Sequence, residues 1–110
     1  MKIDIKGTLL ELTPAIKEYV QKKLAPLSRL MKTFEAEGET TAFIEIARTT
    51  KHHKRGEVYY AEATLLFAGK SLRVERYHRD IRAAIDLMRD TLKAEILRQK
   101  EKVERKRIGK

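Results

Sequence analysis

The chain has 110 residues, and its 25 Lys and Arg outnumber its 16 Asp and Glu, for a net charge of +9 with histidine neutral. That length makes one ordinary domain with its own core and leaves no room for a second. With no cysteine, disulfides, thiolate metal sites and cysteine nucleophiles are excluded. A surplus of this size attracts polyanions, and its placement is uneven. Residues 1–77 hold 14 basic and 10 acidic groups, whereas the much shorter stretch 78–110 holds 11 and 6. The run Arg48-Thr49-Thr50-Lys51-His52-His53-Lys54-Arg55 adds four positive charges and no negative ones. Met1 leads directly into Lys2, Asp4 and Lys6, and no apolar run approaches membrane-spanning length. A cytoplasmic protein without membrane association is the expectation.

In chain order, Met1–Gly7 alternates, with Ile3 and Ile5 on one side and Lys2, Asp4 and Lys6 on the other, which predicts a short half-buried strand. Thr13-Pro14 predicts a helix start, a hydroxyl cap followed by proline at the first helical position. Ile16, Val20, Leu24, Leu27 and Met31 then recur at helical spacing. Pro26 predicts a kink or an end near Ala25, with Leu27–Met31 as a further turn. Residues 35–40 read as an acidic loop around Gly38. Ala42, Ile44 and Ile46 alternate with Phe43, Glu45 and Ala47 in a second strand. Tyr59, Ala61, Ala63, Leu65 and Phe67 line one face of a third, with Tyr60, Glu62 and Thr64 on the other. Gly69-Lys70 predicts a hairpin turn into a fourth strand, with Leu72 and Val74 inward and Arg73 and Glu75 outward. Asp80 caps a long final helix whose buried stripe is Ile81, Ala84, Ile85, Met88, Leu92, Ile96, Gln99 and Val103. Arg82, Arg89, Lys93 and Lys100 form a different stripe, at spacings of seven, four and seven residues.

This order predicts an α/β (α+β) two-layer sandwich, β-α-β-β-β-α, in which two helices cover one face of a four-stranded sheet. The first two strands are parallel if adjacent, because a helix connects them, and the other neighbours are antiparallel. Residues 1–100 form the single domain, and 101–110 a basic helical extension or tail.

Several strings imitate catalytic motifs. His78-Arg79-Asp80 spells the start of a kinase catalytic loop, but the Gly-rich loop and metal-binding residues that chemistry needs are missing, and Asp80 reads as a helix cap. Gly69-Lys70-Ser71 matches the end of a phosphate-binding loop, yet the first glycine would fall at Thr64 and the string joins two strands. Adjacent His52 and His53 tend to point apart, with no carboxylate or cysteine at ligand spacing. Glu101 and Glu104 lie among lysines on a solvated helix. No nucleophile, base and orienting group come together, so no enzyme, cofactor, metal or small-molecule substrate is expected.

What stands out is cationic. The exposed positions of two neighbouring helices carry Lys22, Lys23, Arg29 and Lys32 on or just beyond the first, and Arg79, Arg82, Arg89, Lys93, Arg98 and Lys100 at or along the second. Any one of these serves solubility as easily as binding. Together they make a broad surface suited to phosphates and sugar edges. The seven aromatics show no paired stacking signature on a sheet, so recognition by shape and backbone is expected rather than sequence readout.

Three segments also resemble a known family. Glu11-Leu12-Thr13-Pro14-Ala15-Ile16-Lys17-Glu18-Tyr19-Val20, continued by Lys23-Leu24-Ala25, is similar to the first helix of the ribosome hibernation-promoting factors, also called ribosome-associated inhibitors and sigma-54 modulation proteins. Tyr60-Ala61-Glu62-Ala63-Thr64-Leu65 with Gly69-Lys70, and Asp80-Ile81-Arg82-Ala83-Ala84-Ile85-Asp86-Leu87, match in register over nearly the whole chain. The resemblance implies a fold like that of double-stranded RNA-binding domains, with RNA on the exposed face of the two helices. It implies a monomeric short form that binds the small ribosomal subunit in the tRNA and mRNA channel and blocks initiation when growth stops. Where the family often has lysine, a Met-Tyr pair and further basic residues, this chain has Pro26, Ile81-Arg82, Thr91 and Ala94, so its positive charge follows a shifted pattern. A protein-binding regulator, acting through the helices or the polar sheet face, is the alternative. A membrane-surface role for the last helix fits less well, since its apolar stripe is needed for the core.

Overall fold

The computed structural model describes residues 1–49 and 58–108. Its elements are β1 (Lys2–Thr8), α1 (Pro14–Leu30), α2 (Lys32–Glu35), β2 (Thr41–Arg48), β3 (Tyr59–Phe67), β4 (Lys70–His78) and α3 (Ile81–Ile108). Of the expected basic loop, Thr50–Arg55 lies outside the described residues, and with it His52 and His53.

The sheet runs β1-β2-β3-β4. β1 and β2 are parallel, with Ile5 opposite Ile44, because the chain crosses over through α1 between them. The other two pairs are antiparallel, as hairpin-connected strands must be. Inward side chains Ile44, Ile46, Ala61, Ala63 and Leu65 meet Val20, Leu24 and Leu27 of α1 and Ala84, Ile85, Met88, Leu92 and Ile96 of α3 in one core. Both long helices therefore cover the same face, which is the architecture the hydrophobic periods predict. Tyr19 meets Asp86 near the helix starts, while Thr33 and Phe34 line a cavity with Val103 and Lys106 towards the far end. α1 and α3 thus run in the same direction, side by side.

Both helix starts form as expected. The Thr13 hydroxyl accepts from the Ile16 N–H at 3.2 Å, with Pro14 at the first helical position. Asp80 Oδ1 accepts from the Arg82 N–H at 3.0 Å, and the Asp80 N–H itself donates to His78 Nδ1 at 3.0 Å. The kinase-like string is thereby accounted for as a cap.

Of the two outcomes expected at Pro26, a kink or an end near Ala25, the end does not occur: the first helix continues through Pro26 to Leu30. Pro26 and Lys22 are both exposed, so the Lys22 carbonyl that loses its usual donor faces water rather than core. The acidic loop begins later than expected, because Lys32–Glu35 forms a helical turn that buries Phe34 edge-on against Phe67, centroids 4.9 Å apart. Ala47, expected outward, is buried, since its register partner Tyr60 and the neighbouring Tyr77 form a ring pair at 5.5 Å on that face.

The hairpin turn sits one residue earlier than the Gly69-Lys70 expected, on Ala68-Gly69, with φ of 48° and 73° and Lys70 already in β4. Two successive positive φ angles match the twist of flanking strands, but a left-handed alanine is strained. Ala68→Asn should therefore raise stability by about 0.5–1 kcal/mol, read as a higher urea midpoint at an unchanged slope. Gly7 is needed for a different reason. A Cβ there would meet Leu12 Cβ at 3.1 Å and the Leu10 carbonyl at 3.3 Å, where the chain turns back towards α1.

The open face of the sheet carries a row of carboxylates, Glu45 opposite Glu62 and Glu62 opposite Glu75. Like charges in register are unfavourable unless compensated. Here Arg73 Nη2 reaches Glu62 at 2.9 Å and Glu75 at 3.2 Å. The Thr8 and Tyr60 hydroxyls donate to Glu45. Those two hydrogen bonds, Thr8's first, hold the Glu45 carboxyl below the usual glutamate range. Burial and the same carboxylate push the Tyr60 hydroxyl up. A depressed carboxyl contributes stability that is fully present above its unfolded pKa and is lost as pH falls through the folded value. Glu45→Gln should accordingly lower stability at pH 7 and reduce its fall as pH drops from about 4.5. Urea midpoints at pH 7 and pH 3.5 check this.

Candidate nucleic-acid interface

α1 contains four basic residues and one acidic, and α3 nine and five. The two helices together thus hold a surplus of seven positive charges, most of the chain's total of +9. The open sheet face, with Asp4, Glu45, Glu62 and Glu75 against Lys2, Lys6 and Arg73, holds no such surplus. Because α1 and α3 bury one side against the sheet, their remaining sides form a single outer surface.

Helical geometry sorts the expected residues. At roughly 100° per residue, Arg82, Arg89, Lys93 and Lys100 lie within about 40° of one another around the α3 axis. Asp86 belongs to the same sector, and its contact with Tyr19 shows that this sector borders α1. The seven-four-seven spacing read from the sequence is therefore the seam-side stripe of the helix. Arg98 falls about 160° away from Arg82 and pairs with Glu95 at 2.8 Å; it stands apart from the others.

The members differ in availability. Lys22, Arg29, Lys32, Arg79 and Lys93 are exposed and make no ion pair among the described residues. Lys100 is half-buried. Arg89 is also half-buried, its Nε 2.9 Å from Asp90 Oδ1. That contact has ion-pair distance without hydrogen-bond alignment, since Nε is buried with no hydrogen-bond partner. It is a Coulombic contact that leaves Arg89 less free than its neighbours.

At the seam itself, the Tyr19 hydroxyl donates to Asp86 Oδ1 at 2.7 Å. Lys23 Nζ lies 3.5 Å from the same oxygen and 5.4 Å from the Tyr19 ring centre. The Arg82 guanidinium sits 5.3 Å from that ring. One aromatic ring thus holds two cations from two helices, a geometry in which ring and charge attract. The hydrogen bond to Asp86, and then burial, raise the Tyr19 hydroxyl above its ordinary pKa, so it stays a donor. Tyr19 and Asp86 are absent from the charge-based selection because neither is basic. Both fall within the family-like segments, and spacing adds a pair of four-residue intervals, Tyr19 to Lys23 and Arg82 to Asp86, but nothing local brings the two pairs together.

Among the described residues, no group of His, Cys, Asp and Glu is arranged to hold a metal, and no helix is long and apolar enough to cross a membrane. The arrangement offers cations along the outer surface of two neighbouring helices. It can follow a phosphate backbone.

Comparison with known proteins gives a consistent picture. Residues 3–104 match the family described as sigma 54 modulation protein / S30EA ribosomal protein. A ribosome hibernation promoting factor of Azotobacter vinelandii is 32% identical over 102 residues, covering 93% of this chain and 85% of that one. A ribosome hibernation promotion factor of Lactococcus lactis is 32% identical over 106 residues, or 96% of this chain. The chain spans about half of that relative, 53% of its length. In structure, the N-terminal domain of Thermus thermophilus Protein Y superposes with a TM-score of 0.71 at 33% identity, covering 89% of this chain and 98% of that one.

Proposed function

Given that the chain belongs to the sigma 54 modulation protein / S30EA ribosomal protein family, we propose that it is a ribosome-binding hibernation factor that lays the outer surface of α1 and α3 on RNA of the small subunit, in the region that tRNA and mRNA otherwise occupy. The observation that carries this reading is the seam-side stripe of Arg82, Lys93 and Lys100, set beside Lys22, Lys23 and Arg29 of the neighbouring helix. Cations spread over two helices can contact several phosphates of a folded RNA backbone, and each phosphate they contact releases counterions. Recognition is then by shape and charge, and inhibition follows from occupancy, with no chemical step required.

The test is co-sedimentation with small ribosomal subunits over a salt series. Binding should weaken steeply and linearly in log–log form as salt rises. The alternative, a protein-binding regulator, draws on exposed Phe43, Leu66 and Tyr77 on the open sheet face. It requires binding that is insensitive to salt, lost on Phe43→Ser, and indifferent to the helix cations.

A further inference from the structure

Asp86 sits awkwardly in an RNA-binding surface. A carboxylate in the middle of a cationic stripe repels phosphate, and on charge alone its removal improves RNA binding. Yet Asp86, on one long helix, contacts the other, and what it contacts there is the tyrosine whose ring bears two of the cations.

We propose that Tyr19 and Asp86 form a positioning pair, which holds Lys23 and Arg82 as a two-cation clamp for phosphates at the seam between α1 and α3. This rests on the RNA-binding reading and names the residues that organise that surface.

Three links lead to it. Asp86 Oδ1 accepts the Tyr19 hydroxyl at 2.7 Å, which fixes the ring against α3 although Tyr19 belongs to α1. Lys23 stands four residues after Tyr19 on the same helix, its Nζ over the ring and close enough to Asp86 for an ion pair. Arg82 stands four residues before Asp86 and reaches the ring from the other helix. Free Lys and Arg side chains carry large rotamer entropy, which a phosphate must quench on binding. Ring and carboxylate remove part of that freedom beforehand, so the cations are set before RNA arrives. A hydroxyl bonded to a carboxylate is also a more electron-rich ring substituent, which strengthens its hold on both charges. Lys23 can turn from Asp86 to a phosphate without leaving the ring. Asp86 therefore costs some electrostatic attraction and returns alignment.

Charge counting and positioning predict opposite signs for one substitution. Asp86→Asn raises the net charge by one and removes the repulsion. On charge alone, small-subunit affinity rises and the salt slope steepens. If the pair positions the clamp, affinity falls about three- to tenfold at constant salt, and the slope becomes shallower by about one unit as seam phosphate contacts are lost. Tyr19→Phe keeps the ring and the net charge and removes only the hydroxyl; it should lower affinity by a similar factor. The double variant should be little worse than either alone, because both break the same link. Urea midpoints for each variant show whether the fold is intact, and Tyr19→Phe is the variant least able to disturb it.

Unchanged or tighter binding by Asp86→Asn, together with unchanged binding by Tyr19→Phe, overturns the clamp. The Lys22→Glu, Lys93→Glu double variant separates this from failure of the RNA reading, because those residues lie outside the pair. If that variant binds weakly while the pair variants bind normally, only the clamp is wrong. If none of the variants affects binding, the helix surface is not the RNA site.

Discussion

Changing Lys22 and Lys93 together to glutamate should weaken binding to small ribosomal subunits about a hundredfold at low salt and reduce the salt slope by roughly two units. Both side chains are exposed, lie on different helices and make no ion pair among the described residues. Their loss therefore breaks no internal interaction and leaves the core untouched. Each charge-assisted contact with phosphate contributes about 1.5–3 kcal/mol, and about 1.4 kcal/mol corresponds to tenfold in affinity. A hundredfold loss from two contacts is the conservative end of that range. Arg89 is a poorer choice for such a test, since it is half-buried against Asp90. Equilibrium sedimentation at two salt concentrations, with thermal melts of the variant beside it, decides the matter. An unchanged slope would mean that neither residue touches phosphate.

The second large effect concerns the fold. Leu92→Ala should destabilise the domain by about 2–5 kcal/mol, because it removes a fully buried side chain where α3 packs on the sheet and leaves a cavity. Against a total stability on the order of 5–15 kcal/mol, that is a large fraction. Leu97→Ala supplies the control. The residue type is the same and the site is little more than one turn further along the same helix, but Leu97 is 43% exposed and lies outside the core. Its loss should stay within about 0.5 kcal/mol. Paired urea titrations measure both. A large effect at Leu97 would imply that something covers this side of α3.

Most of the fold is readable from periodicity. Val20, Leu24 and Leu27 at helical spacing, and Ala61, Ala63 and Leu65 at alternate positions, mark their buried faces by spacing alone. Thr13 and Asp80 announce their helices through the hydrogen bonds they make. Pro26 leaves a kink and an end both open, because its cost depends on whether the orphaned carbonyl meets water, which only tertiary placement decides. Phe34 is hidden for a related reason. A four-residue turn is too short to show a period, and its burial depends on Phe67, distant in sequence.

The proposed surface is legible in outline. The stripe of Arg82, Arg89, Lys93 and Lys100 follows from helix geometry alone, and it does border the first helix. What charge counting does not supply is the grading within the stripe. Arg89 is partly withdrawn against Asp90, Arg98 stands on another side, and Lys23 and Arg82 share a tyrosine ring. Each of these depends on a neighbour that sequence spacing does not reveal.

The carboxylate row of Glu45, Glu62 and Glu75 on the open face of the sheet has a consequence for motion in solution. With the cationic helices on the opposite layer, the charge of the described residues is unevenly divided through the thickness of the domain. Near a large polyanion such a body experiences torque as well as pull, and it rotates helix side first once within a Debye length, about 8 Å at physiological ionic strength. Under the proposed reading, a larger share of collisions then arrives with the binding face forward. Neutralising the row with glutamines would leave the helix surface unaltered and make the net charge more positive, yet it would blunt that alignment during approach.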